Sequence, residues 1–226
     1  MHLIVDAFRF IGNNPHLVLS KAASQLILSA AALGVAIGIS IPIGMLTGHL
    51  RRWSFLAISG GNIARALPTL AIIAIGIGLY GVGFLNIMVA LAVLGIPPIL
   101  TNTYVAVSGV PRSAVHAARG IGMRPWQVLL RVEVPNAIPL ILGGIRTASV
   151  YIIATAYLAS FAGSDSTLGL VITNEGAYGL AGVLGVTVVI VLMAFAAEAV
   201  LALCQLLLTP RGLRRRVALQ LQGSVV

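Results

Sequence analysis

The chain has 226 residues, of which 59% are hydrophobic and only 8% charged, and its mean hydropathy is +1.05. So few charges cannot clothe a soluble domain of this size, so the bilayer must be its solvent. The formal net charge of +9 does not point to nucleic acid, because the arginines collect at the ends of apolar runs instead of sharing one face with aromatics.

Residues 1–20 are mixed in character and lack a cationic start followed by a short apolar run and a cleavage site. They read as an external N-terminal segment, with no removed signal peptide and the first span acting as the insertion signal. Ala22 to Thr47 is free of charge and long enough to cross once, and His49, Arg51 and Arg52 stop it. Residues 66–111 also carry no charge. That is too long for one helix and suits two of about 20 residues each, turning at Gly78–Phe84, where glycines and Tyr80 mark a hairpin tip. After a polar stretch, a fourth span runs from about Asn136 to Phe161 and contains Arg146. A fifth runs from about Leu180 to Leu208 and contains Glu198, before a basic tail over 209–226. The expectation is an all-α, polytopic membrane protein with five transmembrane helices over 21–208.

Orientation follows from the cations, since Lys and Arg in short loops stay on the cytoplasmic side. With the C-terminus cytoplasmic, Arg51, Arg52, Arg65, Arg112, Arg119, Arg124, Arg131, Arg211, Arg214, Arg215 and Arg216 fall inside or at that edge. Only Arg9 and Lys21 fall outside. The N-terminus is then external, the polar stretch cytoplasmic, and Gly163–Gly169 external. Gly34 and Gly38, Gly44 and Gly48, and Gly143–Gly144 supply the small-residue spacing that lets helices approach closely in lipid. Pro42, Pro68, Pro97, Pro98 and Pro139 interrupt or begin spans, which favours a packed bundle around a cavity over a simple anchor. The lone Cys204 sits in an apolar run and reads as a small buried side chain.

The polar stretch between Pro111 and Pro135, within a loop over 108–135, holds four arginines and two helix-compatible pieces. Pro111 suits the first turn of a helix running to about Arg119. Gly120 and Gly122 permit a sharp change of direction. Pro125 then opens a second short helix with Trp126, Leu129, Leu130 and Val132 at apolar spacing. This is an elbow, with one arm free for a partner and one lying along the membrane base. Composition alone leaves an interfacial connector equally open.

The spelling of the elbow resembles the cytoplasmic loop of permease subunits of binding-protein-dependent ABC importers. That signature is Glu-Ala-Ala, three residues, Gly, nine residues, Ile-x-Leu-Pro. The matching positions are His116-Ala117-Ala118, Gly122 and Val132-Glu133-Val134-Pro135. The resemblance extends over about residues 20–208 and implies a type I ABC importer fold like that of the methionine permeases. It also implies that the loop forms a coupling helix docking on a cytoplasmic ATPase subunit through His116, Ala117, Ala118, Arg119, Gly122 and Met123. His116 departs from the family's acidic residue, so a carboxylate that would meet a basic group on the ATPase is missing. The phrases Ile96–Tyr104, Ala117–Met123 and Gly144–Ala148 look most like permeases for glycine betaine, choline, carnitine or proline, with methionine-type importers as the nearest rival. The resemblance implies a dimer of permeases, homo- or heteromeric, and an external solute-binding protein.

No Gly-rich turn ending in Lys exists to cradle phosphates, since the only lysine is Lys21, so the energy must come from a separate subunit. His2, His16, His49 and His116 lie outside the expected spans and lack metal-ligand spacing. No catalysis and no cofactor are expected. Charges within spans are costly and face a cavity or a partner; Arg146 and Glu198 fall at similar depth and are expected to pair. Asn102 and Tyr104 either line a pathway or pack near the inner interface. Asp165 and Glu175 either contact the external binding protein or belong to a solvated loop. A self-contained ion-coupled carrier or channel is the reading from another class.

Overall fold

A computed structural model of the chain describes residues 2–51 and 68–209. The topology expectations placed on Arg52, Arg65, Arg211, Arg214, Arg215 and Arg216, and the basic tail beyond Thr209, lie outside the described residues. What is described is helical throughout. Helix α1 spans His2–Asn13 and α2 Pro15–Leu50. Then come α3 (Thr69–Tyr80), α4 (Phe84–Ser108) and α5 (Arg112–Gly120). A short α6, Pro125–Val128, passes through one π turn, Leu129–Glu133, into α7, Val134–Thr155. A 3-10 segment, Ala156–Ala162, closes that run, followed by α8 (Gly169–Thr173) and α9 (Glu175–Leu208).

Among the described residues four helical runs are long and apolar enough to cross a membrane: Pro15–Leu50, Phe84–Ser108, Pro125–Ala162 and Glu175–Leu208. The expected second span is represented by α3, whose 12 residues reach only about 18 Å at a rise of 1.5 Å each, short of a hydrocarbon core of about 30 Å. Its hairpin with α4 turns where expected, at Gly81, with φ +75°. The first span starts earlier than Ala22, because Pro15 at the first helical position imposes helical φ and forgoes no bond there. His49, expected outside a span, closes the last turn of α2, and Arg51 caps it in a left-handed conformation (φ 49°, ψ 24°).

The N-terminal segment is a packed helix. Phe10 and Ala7 of α1 lie against Gly182 and Gly185 of α9, and Phe10 meets Tyr178 edge to face, with ring centroids 6.1 Å apart.

Helix α4 is the central element, packed on both α2 and α7. Its Ile99 and Val107 join Ala36 of α2 and Ala148 of α7 in one buried cluster, and its Leu91 joins Leu28 and Ile152 in another. Close backbone approach makes this contact. A Cβ on Gly44 would stand 2.7 Å from Thr103 Cβ, and one on Gly144 would stand 2.8 Å from Asn102 Cβ. The small-residue rows therefore divide: Gly44, Gly48 and Gly144 seat α4, whereas Gly34, Gly38 and Gly143 face open space. Leu192, Leu203 and Leu207 of α9 are exposed, as side chains facing lipid tails of similar polarity can be.

At the end near Lys21, Gln25 is fully buried in α2 and binds two elements at once. Its Nε2 donates to Ile153 O at 3.1 Å, and its Oε1 accepts from Leu168 N at 3.2 Å. Lys21 Nζ donates to the Asp165 carbonyl. These bonds fix the Gly163–Leu168 loop to α2.

Candidate functional site

The elbow forms because the polar first arm cannot continue α4, whereas the second arm, Pro125–Glu133, runs on into α7. Pro111 lies one position outside α5, in extended backbone (φ −52°, ψ 131°), so it starts the helix from the cap instead of the first turn. One side of α5 is apolar: Val115 and Ala118 are buried with Val110 and Val128, and Met123 and Val132 pack against them. Gly122 makes the bend with φ +85°, a region that costs an L side chain about 1–2 kcal/mol. Gln127 Oε1 then accepts from Arg124 N at 2.8 Å and starts α6.

Two features of this geometry bear on the expected roles. Ala118 is 5% exposed, packed with Val110, Val115 and Val128 inside the elbow. In the second arm one π turn, Leu129–Glu133, joins the short helix to α7. Val128 and Leu129 are buried, while Trp126 and Leu130 face outward. Of the expected docking residues, His116, Ala117, Arg119 and Gly122 are exposed and Met123 is half-buried. The most exposed apolar side chain of the elbow is one the sequence did not single out, Ile121, at 77%.

The elbow is tied to the end of α2 by two polar links. His49 Nδ1 lies 2.5 Å from Glu133 Oε2, with the Glu133 side chain 3% exposed. Arg51 Nη2 donates to Val110 O at 3.0 Å. Each link joins a residue of the elbow or just before it to the end of α2, although α4 lies between them in sequence. His49, Arg51, Arg112, His116, Arg119 and Glu133 line a cavity of about 310 Å³ beside α5.

Deeper in the bundle the expected pair is present. Arg146 of α7 donates from Nε to Glu198 Oε1 of α9 at 3.0 Å, and Nη2 also donates to that oxygen. Its Nη1 donates to Gln205 Oε1 at 2.5 Å, and Gln205 Nε2 donates in turn to Pro139 O at 2.8 Å. The guanidinium thus joins two spans through a carboxylate and an amide. Glu198 lines a largely apolar groove of about 710 Å³ between α7 and α9, with Thr147, Tyr151, Tyr157, Thr187 and Phe195.

Asn102 and Tyr104 stand apart from this groove. Asn102 Nδ2 donates to Pro98 O at 2.7 Å, and Tyr104 is buried at 8% exposure. Asp165 and Glu175 are both exposed; Glu175 opens α9, where a carboxylate suits the positive end of the helix dipole. Among the described residues no cluster of three His, Cys, Asp or Glu side chains converges for a metal. Sequence reasoning missed Gln25, Gln205 and the His49–Glu133 pair. For Gln25 and Gln205 the signal available was the same one that found Arg146 and Glu198, an isolated polar residue in an apolar run; the His49–Glu133 pair gave no such signal.

The family model described as "Binding-protein-dependent transport system inner membrane component" matches residues 40–212. The glycine betaine/carnitine/choline transport system permease protein OpuCB of Bacillus subtilis is 34% identical over 205 residues, covering 91% of this chain and 94% of that protein. The osmoprotectant import permease protein OsmW of Salmonella typhimurium is 31% identical over 220 residues, covering 93% and 100%. Among solved structures, an inward-facing form of the MetNI methionine ABC transporter superposes with a TM-score of 0.76 at 18% identity, covering 87% of this chain and 99% of that one. The fold is therefore that of an ABC importer permease, and the apolar helices place the chain in the inner membrane as a multi-pass protein. A polar elbow carrying the loop signature, held on a bundle of lipid-facing helices, agrees with the match over most of its length: the chain belongs to the binding-protein-dependent transport system inner membrane components.

Proposed function

We propose that this permease subunit passes a compatible solute of the glycine betaine, choline, carnitine or proline class, delivered by an external binding protein and driven by separate cytoplasmic ATPase subunits. The observation that carries the solute class is the breadth of likeness to OpuCB, a third of residues identical over nine-tenths of both chains. Methionine import is the second reading. It is favoured by the superposition on MetNI, but identity at that level supports the fold alone.

In this reading five helices span the membrane, the second including α3, with the N-terminus outside and the elbow and C-terminus inside. Two permeases, identical or different, form the pathway. Closure of the ATPases moves the α5 elbows, and the His49–Glu133 and Arg51–Val110 links pass that movement to α2. Ala117, Ile121 and Gly122 form the docking tip, flanked by His116 and Arg119. The groove bearing Glu198 and Tyr151 is the candidate pathway wall. Asp165 and Glu175 face the binding protein. An ion-coupled carrier needs an available intramembrane acid, whereas Glu198 is engaged by Arg146, which favours the importer.

The test is co-purification with the ATPase subunits of the same cell, followed by ATP hydrolysis with and without solute-loaded binding protein. Stimulation by a quaternary amine and not by methionine is expected. Failure of every ATPase to associate with well-folded protein overturns the coupling role, and stimulation by methionine alone overturns the solute class.

A further inference from the structure

Arg112, His116 and Arg119 recur at i, i+4 and i+7 along α5 and so share one face of it. That face closes the 310 Å³ cavity against His49 and Arg51 at the end of α2 and Glu133 of the π turn. Three guanidiniums thus meet around one carboxylate, and that carboxylate is already held by His49 Nδ1 at 2.5 Å. Among the described residues the ion pairs are Arg9–Asp6, His49–Glu133 and Arg146–Glu198, and neither Arg112 nor Arg119 has an acidic partner there.

The arrangement disfavours α5 as it stands. Arg112 opens the helix, where the positive end of the dipole repels a cation, and no acid occupies that first turn. Two turns on, Arg119 brings a second guanidinium to the same face, with no carboxylate on the helix between them. An oxyanion in the cavity would supply the missing negative charge to both arginines. Guanidinium forks match phosphate oxygens in bidentate geometry, and the added negative charge offsets the surplus of positive charge on this face.

We propose that this cavity is an oxyanion site that binds a phosphate group, supplied by a lipid headgroup or free in solution. Its position favours a phosphate over a side chain of the ATPase. The cavity is walled by the end of membrane-spanning α2 on one side and by α5 and Glu133 on the other, and neither Ile121 nor Gly122 of the exposed tip lines it. Basic pockets at that level sit among lipid phosphates. The proposal does not rest on the solute class or on the coupling role.

The full chain in phosphatidylcholine nanodiscs is titrated with inorganic phosphate, against chloride at matched ionic strength, while its unfolding temperature is followed. A saturable rise is expected. Arg112→Gln and Arg119→Gln are each expected to weaken the apparent affinity about tenfold, with Arg119→Lys intermediate and Arg131→Gln, outside the cavity, unchanged. Nanodiscs containing phosphatidylglycerol separate the sources. If the headgroup is the ligand, the phosphate response disappears and native mass spectrometry shows a retained phosphatidylglycerol that both glutamine variants lose. If free phosphate is the ligand, the response persists in both lipids. No phosphate response and no retained lipid in folded protein overturns the site, as does an unchanged response in the double glutamine variant. Loss of ATPase association by that variant, with neither phosphate nor lipid bound by the unaltered chain, assigns the cavity to a partner carboxylate instead.

Discussion

The chain treats its arginines in two opposite ways. Arg146, inside the bundle, has its guanidinium shared between Glu198 and Gln205, and the second of these is anchored on Pro139. Arg112 and Arg119, beside the elbow, converge on a cavity whose one carboxylate, Glu133, is held by His49. The difference follows from solvent. In hydrocarbon an unmatched charge costs so much that the fold must supply its partner from within. At the polar edge a surplus of positive charge is tolerable and remains available to something outside the chain. A matched cluster reads as structure, an unmatched one as an interaction surface.

The largest effect comes from breaking the matched cluster. Arg146→Met leaves Glu198 and Gln205 without their donor and is expected to destabilise the folded protein by about 3 kcal/mol, the lower end for one-sided loss of a buried pair, because the side chains are 30% and 33% exposed. The double variant Arg146→Met/Glu198→Met is expected to recover most of that loss. Thermal unfolding in nanodiscs, read as a double-mutant cycle, checks both. A double variant as unstable as the sum of the singles would show that the two residues act independently.

His49→Phe comes next. It keeps the volume at the end of α2 but leaves the buried Glu133 carboxylate without its partner, at a cost of about 2 kcal/mol. Glu133→Gln, which can still bond to His49, is expected to lose less than half as much. Equal losses would mean that charge, and not the hydrogen bond, ties the elbow to α2. Gly122→Val is smaller in stability, about 1–2 kcal/mol from the left-handed φ. Its larger consequence falls on the elbow's direction: association with the ATPase is expected to drop while insertion in the membrane is unchanged, as read by co-purification.

These residues also show which features are legible in an apolar sequence and which are not. The long apolar helices, the hairpin at Gly81 and the Arg146–Glu198 pair were legible because hydrocarbon imposes strict rules on length and charge. The earlier start of α2 at Pro15 was not, because the helix continues into polar sequence that carries no hydropathy signal. The π turn at Leu129–Glu133 was not legible either, because a 3.6-residue count does not register it. His49 and Glu133 stand 84 positions apart. Nothing local in either residue announces the other, and only the packing of α2 against the elbow brings them together.

Ile121 gives the smallest effect on the protein itself and the sharpest test of the elbow as a docking surface. A β-branched apolar residue that is 77% exposed at a bend adds nothing to its own fold, since burial is the source of its stabilisation. Ile121→Asp should therefore leave the unfolding midpoint within the range of surface substitutions, about 0.5 kcal/mol. In a complex the same side chain becomes a buried apolar contact, and a carboxylate there faces desolvation without a partner. Association with the ATPase, measured by co-purification and by the affinity of purified subunits, is expected to fall at least about tenfold, which is about 1.4 kcal/mol. If Ile121→Asp binds as the unaltered chain does, the docking surface lies on the His116 and Arg119 face instead, and the unmatched arginines would then be the contact and not a phosphate site beside it.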